Sequence, residues 1–113
     1  MEFKFKINKR EWTVVFCKKD DNRIKAITED EVSGLTDYFN LTIYICIDAP
    51  RDLINDTIYH ELAHAYIFTY GMGQNENFSE ENVCDMFGAF GEDLYNNAYN
   101  LIKYSEKSVD NAE

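Results

Sequence analysis

Residues Thr57–Gly71 read TIYHELAHAYIFTYG. This stretch holds both histidines of the chain, His60 and His64, with Glu61 directly after the first. On a helix successive residues turn by about 100°. His60 and His64 therefore share a face, one turn apart, and can reach a single ion. Glu61 lies beside that face. Ile54, Ile58, Leu62 and Ala65 form the neighbouring stripe, which is expected to pack on a sheet. Apolar residues fall nearly all round the helix, which predicts that it is buried.

The spacing suits a particular chemistry. Neutral imidazoles bind zinc at about 2.0–2.1 Å, and a catalytic zinc site uses three protein ligands plus a water. Zinc makes such a water acidic enough to act as a nucleophile near neutral pH. A neighbouring carboxylate takes the water's proton and later gives it to the leaving amine. In HELAH, Glu61 stands in that position. A five-residue pattern also arises by chance on ordinary core or surface helices, so the third ligand matters.

The HExxHxxGxxH continuation is excluded, because Ile67 and Tyr70 occupy its Gly and third His positions. The chain has no other histidine, so the third ligand is expected to be a carboxylate or a thiolate. In SEENVCDMFGAFGE (79–92), Glu81 and Asp85 are one helical turn apart. Glu81 is the expected zinc ligand, and Asp85 is placed to accept a ligand histidine's ring N–H. Glu80 is the competing ligand. Both glutamates also complement a helix N-terminus, where acidic residues are common. Gly88 and Gly91 each cost roughly 1 kcal/mol in a helix interior, and are expected where the two helices approach closely. Cys46 and Cys84 lack a surrounding ligand motif.

Outward from the histidine stretch, FKFKI (3–7) alternates as a half-buried strand. NKRE is a polar break, and WTVVFC (12–17) a second strand, so the chain opens as a hairpin. Residues 24–34 read as an irregular connection with a short strand near Ile24–Ile27. Leu35–Tyr38 and Thr42–Ile47 form a second hairpin turning at Phe39–Asn40. The latter run is apolar on both faces and predicts a strand covered on both sides. Pro50 suits a first helical turn behind a cap at Asp48 or Ala49. Gly71 is a natural helix stop. After the GMGQNEN loop, Asn77 and Glu80 have capping-box spacing. A second helix carries Val83, Phe87, Phe90, Leu94, Ala98 and Leu101 at three- and four-residue steps. The predicted class is α+β: a small antiparallel sheet followed by two helices, as one domain over 1–104 with a polar, frayed tail at 105–113.

Composition narrows the partners. The 113 residues carry a formal charge of -10, and phosphates repel such a chain, so direct nucleic-acid binding is not expected. Solubility is the plain account of the charge. The sharper one is a surface that imitates nucleic acid or docks on a basic partner. Cys17, Cys46 and Cys84 are odd in number, form no CxxC and sit in apolar runs, which fits buried free thiols in a reducing cytoplasm. The first residues show no signal-peptide pattern, and no apolar run approaches a membrane span.

With HELAH at 60–64 and Glu81-xxx-Asp85 downstream, the chain resembles the gluzincin branch of HExxH metalloproteins. It is more closely similar to ImmA/IrrE-like metallopeptidases, whose second motif is approximately ExxA[ND]xFA. ENVCDMFGAF matches at Glu81, Asp85 and Phe87, with Cys84 and Gly88 in place of the alanines. It also resembles short stand-alone HExxH proteins of phages and prophages of low-GC Gram-positive bacteria, through GLTDY, TIYI, HELAHA, YG and EENVCDMFGAFGE, over roughly 34–101. The resemblance implies a minimal zincin-like fold, bound zinc, a peptidase-type site in the bacterial host cytoplasm, and a protein or peptide substrate such as a repressor. It also leaves a gap. No further histidine is present to steady an oxyanion, so Tyr38, Tyr66 or Tyr70 would serve. Two functions follow. One is a zinc peptidase with His60, His64 and Glu81 as ligands and Glu61 as base. The other is a non-enzymatic acidic binding protein on the same scaffold, such as a phage inhibitor of a host or defence protein.

Overall fold

The computed structural model describes residues 1–71 and 80–111, with side chains through 107. The elements run β1 (Glu2–Ile7), β2 (Arg10–Cys17), α1 (Asn22–Lys25), β3 (Gly34–Asp37), β4 (Thr42–Cys46), α2 (Arg51–Thr69) and α3 (Glu80–Asn111). The class is α+β, as the periodicity predicted.

Both hairpins form. β1 pairs antiparallel with β2 through a turn at Asn8–Lys9, where both residues have positive φ. This is the backbone a two-residue hairpin turn requires. β3 pairs antiparallel with β4, and the Asp37 carboxylate holds the turn by accepting from the Phe39 and Asn40 amides. The sheet is nevertheless mixed, not antiparallel. Its order is β1-β2-β4-β3, and the two hairpins join through β2 and β4, which run parallel. Turn chemistry fixes pairing within a hairpin. Pairing between hairpins is set by which strands bury both faces, a tertiary effect that local patterns do not carry.

β2 and β4 are those two strands. Trp12, Val14, Phe16, Ile43 and Ile45 face the main core, while Val15, Cys17, Tyr44 and Cys46 face a smaller cluster with Ile24. β4 is thus covered on both sides, as its composition predicted. Ile24 belongs to α1, a short helix where a strand was expected. Asp21 caps it by accepting from the Arg23 amide. Of the three cysteines, Cys17 and Cys46 are buried and Cys84 is exposed, so only two behave as core residues.

α2 lies on the core face of the sheet. Ile54, Ile58, Leu62 and Ala65 are buried there with the sheet residues, the expected stripe. Trp12 is fully buried, and its Nε1 donates to Thr69 Oγ1 at 3.2 Å, pinning the end of α2 to β2. Pro50 is the N-cap and Arg51 the first helical residue. Asp48 does not cap the helix, because its carboxylate is taken by the Lys19 amide. The helix ends as expected, with Gly71 at φ 72°.

Among the described residues, one side of α2 stays uncovered. Leu53, Tyr59, His60, His64 and Phe68 are exposed, so apolar composition all round did not mean burial all round. The reason is supply: a four-stranded sheet and one further helix cannot surround a helix of this length. α3 packs on α2 through Phe90, Ala98 and Leu101, with Met86 and Leu94 beside them. It continues past 104 into the expected tail. Ser105 is fully buried and accepts from Arg51 Nη1 at 2.7 Å, so this part of the tail belongs to the domain. The GMGQNEN loop from Met72 onward and Asn77 of the expected capping box lie outside the described residues. Among the described residues no helix is long and apolar enough to cross a membrane.

Candidate metal centre

The middle of α2 presents His60 and His64 to solvent and turns Glu61 inward. The two Nε2 atoms lie 3.2 Å apart, with the rings edge to face. Two ligands at about 2.0–2.1 Å from one tetrahedral ion stand about 3.3–3.4 Å apart. The separation is close to that of two ligands on one ion, and it is also the distance of a hydrogen bond between the two rings. Among the described residues, one group of His, Cys, Asp and Glu side chains brings its ligand atoms together: His60, Glu61 and His64, all within 4.8 Å of one another.

Glu61 is 6% exposed. A glutamate is rarely buried without a partner. Here the partner is Thr36 on β3, whose Oγ1 donates to Glu61 Oε2 at 3.0 Å and lies 3.3 Å from the Glu61 carbonyl. β3 comes this close because of Gly34. A Cβ at that position would stand 2.5 Å from Thr57 Cγ2, 3.0 Å from Glu61 Cγ and 3.1 Å from the Tyr44 carbonyl. Residues i and i+2 of a strand share a face. Gly34 and Thr36 therefore face α2 together, while Leu35 packs in the smaller cluster on the other side.

Beside the histidines, a cleft of about 390 Å³ runs between the start of β3 and the first half of α2. Val32, Ser33 and Gly34 line one wall, and Leu53, Asp56, Thr57, His60 and Glu61 the other. Asp56 is one helical turn before His60 and is exposed. Apart from His60 and Glu61, these cleft residues, with Thr36, were missed by sequence reasoning. Strand alternation pairs Gly34 with Thr36, yet nothing local says which face meets the helix.

Of the three tyrosines named above, the structure brings Tyr38 to this site. Its ring meets His64 edge to face at 6.5 Å and packs on Phe68. Burial and then the Glu61 charge raise its phenol above the ordinary value. Tyr66 points the other way. Its hydroxyl donates to Asp93 and accepts from Asn97 at 2.7 Å, in the contact between α2 and α3. Tyr70 stacks on Tyr66 and Phe90 in the same contact.

α3 does not bring its carboxylates into the group. Glu80, Glu81 and Asp85 are exposed, and none has a ligand atom among those of His60, Glu61 and His64. Helical phase accounts for this. Met86 and Phe90 set the side of α3 that faces α2. At about 100° per residue, Asp85 lies about 100° from Met86 and Glu81 about 140° from it. Gly88 meets open space and Gly91 only Phe87 of its own helix, so neither glycine serves a close helix approach. No protein-family model, curated protein or solved structure matches the chain.

Proposed function

We propose that this chain is a zinc-dependent peptidase-type hydrolase acting on a protein or peptide, with Glu61 as its general base. The observation that carries the reading is the pairing of two imidazole nitrogens at zinc-ligand separation with a buried, anchored carboxylate in the same group. His60 and His64 would hold the ion. When bound, zinc would supply the Lewis acidity that makes a water nucleophilic near neutral pH.

A third ligand is left to be assigned, and the remaining roles fall to the chain's own residues. Glu61 takes the proton of the attacking water and passes it to the leaving amine. Tyr38, whose ring meets that of His64, is the proposed donor for a developing oxyanion. The cleft beside Glu61 has room for a substrate side chain.

The test is zinc per chain in untagged protein, with hydrolysis of a peptide pool as a second measurement. About one zinc is expected in the wild type and in Glu61→Gln, little in His64→Ala, and hydrolysis in the wild type only. Glu81→Ala and Glu80→Ala decide the third ligand: loss of zinc in Glu81→Ala alone would make Glu81 that ligand. No zinc uptake by the wild type would end the proposal.

A second reading has its own observation. From Glu80 to Ile102, α3 carries five acidic residues and no Lys or Arg, while Val83, Phe87, Tyr95 and Tyr99 stand exposed. That surface suits docking on a basic partner protein. Under this reading Glu61→Gln is silent and charge reversal at Glu81 or Asp85 abolishes function.

A further inference from the structure

We infer that Thr36 is the positioning residue of this site, holding the Glu61 carboxylate in the orientation its proton transfers need. This rests on the reading of Glu61 as general base. A glutamate side chain has three torsions, and a helix backbone fixes none beyond the first. Left to itself, the Glu61 carboxylate would turn between the cleft and the histidines. Thr36 removes that freedom with a hydrogen bond of 3.0 Å to Oε2.

The donor is itself held. Thr36 pairs with Ile43 in the β3–β4 ladder, and Gly34 pairs with Ile45 two residues away. The hydroxyl therefore sits on the sheet, not on a loop. Its Cβ is branched, which restricts χ1 and with it the position of Oγ1. Gly34 supplies the remaining condition, since any side chain there would drive β3 off Thr57 and Glu61. The carbonyl of Glu61 at 3.3 Å is the competing acceptor. The carboxylate is nearer and charged, and a charged acceptor draws the stronger bond. One side chain thus fixes the base against the strand that forms the cleft wall.

The experiment compares Thr36→Val, which keeps shape and loses the donor, with Thr36→Ser, which keeps the donor. High-resolution crystal structures of zinc-loaded wild type and both variants would be read together with zinc content and hydrolysis of a quenched fluorescent peptide pool. In Thr36→Val, zinc content is expected to be unchanged and the Glu61 carboxylate to leave its wild-type position. kcat should fall by up to about a hundredfold, the scale a small misplacement of a reacting group produces, with KM little changed. Thr36→Ser should restore both position and rate. A Glu61 carboxylate that stays in place in Thr36→Val, or a rate that Thr36→Ser fails to recover, would overturn the inference. A carboxylate that follows residue 36 in crystals of a protein without hydrolytic activity would instead uphold the positioning and remove the peptidase reading.

Discussion

α2 meets its two neighbours across two polar contacts of opposite character. Towards α3, the Tyr66 hydroxyl donates a hydrogen bond to Asp93 and accepts one from Asn97, and two further rings close over it. The buried Tyr66 hydroxyl is thus spent on another part of the same fold, with Asp93 reaching it from the surface. Towards β3, Glu61 takes one hydrogen bond from Thr36 and faces a cleft and two exposed imidazoles. The first contact is closed, and its natural role is to hold α3 on α2. The second is open on one side, and an open, buried carboxylate suits the proposed role of general base. One helix carries both, so a substitution can be asked to damage one without the other.

The largest effect is expected at Phe90, which stacks on Tyr66 and Tyr70 and is buried. Phe90→Ala should cost about 3–5 kcal/mol in chemical denaturation, with the milder Phe90→Leu as a variant that stays folded. Zinc content in Phe90→Leu then sharpens the comparison. Retained zinc means the centre is complete on α2 and β3. Lost zinc means that α3 supplies a ligand, and the two contacts are not independent.

Next comes Gly34→Ala, which puts a carbon 2.5 Å from Thr57 Cγ2 and 3.1 Å from the Tyr44 carbonyl. Overpacking of this kind costs about 1–3 kcal/mol. The more telling result is positional, because relief of the contact is expected to move β3 away from α2 and take Thr36 from Glu61. Hydrolysis should fall further than stability alone explains, while Tyr66→Phe should leave it unchanged. Equal losses of activity in the two variants would break the distinction between open and closed contacts.

How much of this was legible follows from the range of each signal. The strands, both hairpins, the α2 stripe and the His60–Glu61–His64 grouping rest on neighbours within a few residues, and the sequence displays them. The parallel joining of β2 to β4 rests on burial shared across the sheet, so an antiparallel sheet was the natural expectation. Glu81 and Asp85 share a helix face, as their spacing says. Whether that face turns to α2 depends on Met86 and Phe90 winning the contact, which is a competition between faces. Thr36 was hidden for a related reason. A threonine in a short strand is ordinary until the glycine two residues before it is seen to admit a helix.

The smallest effect separates the two contacts by pH. Burial first, and then the bond to Asp93, push the Tyr66 phenol above its ordinary value, with Asn97 opposing. The folded state therefore holds this proton more tightly than the unfolded chain does. The sign follows: the contribution is complete below the unfolded value of about 10 and is lost as pH rises through the folded one. Tyr66→Phe should be less stable than wild type by about 1 kcal/mol at neutral pH, the usual worth of a buried hydrogen bond. Above about pH 10 the gap should narrow, because the wild type is losing what the variant never had. Taking the difference between the two proteins cancels the other tyrosines, including Tyr38 and Tyr44, whose phenols are also raised. Urea midpoints across the alkaline range measure it. No gap at neutral pH would mean that Tyr66 holds α3 through its ring alone, and a gap that stays constant would mean that folding does not raise its phenol.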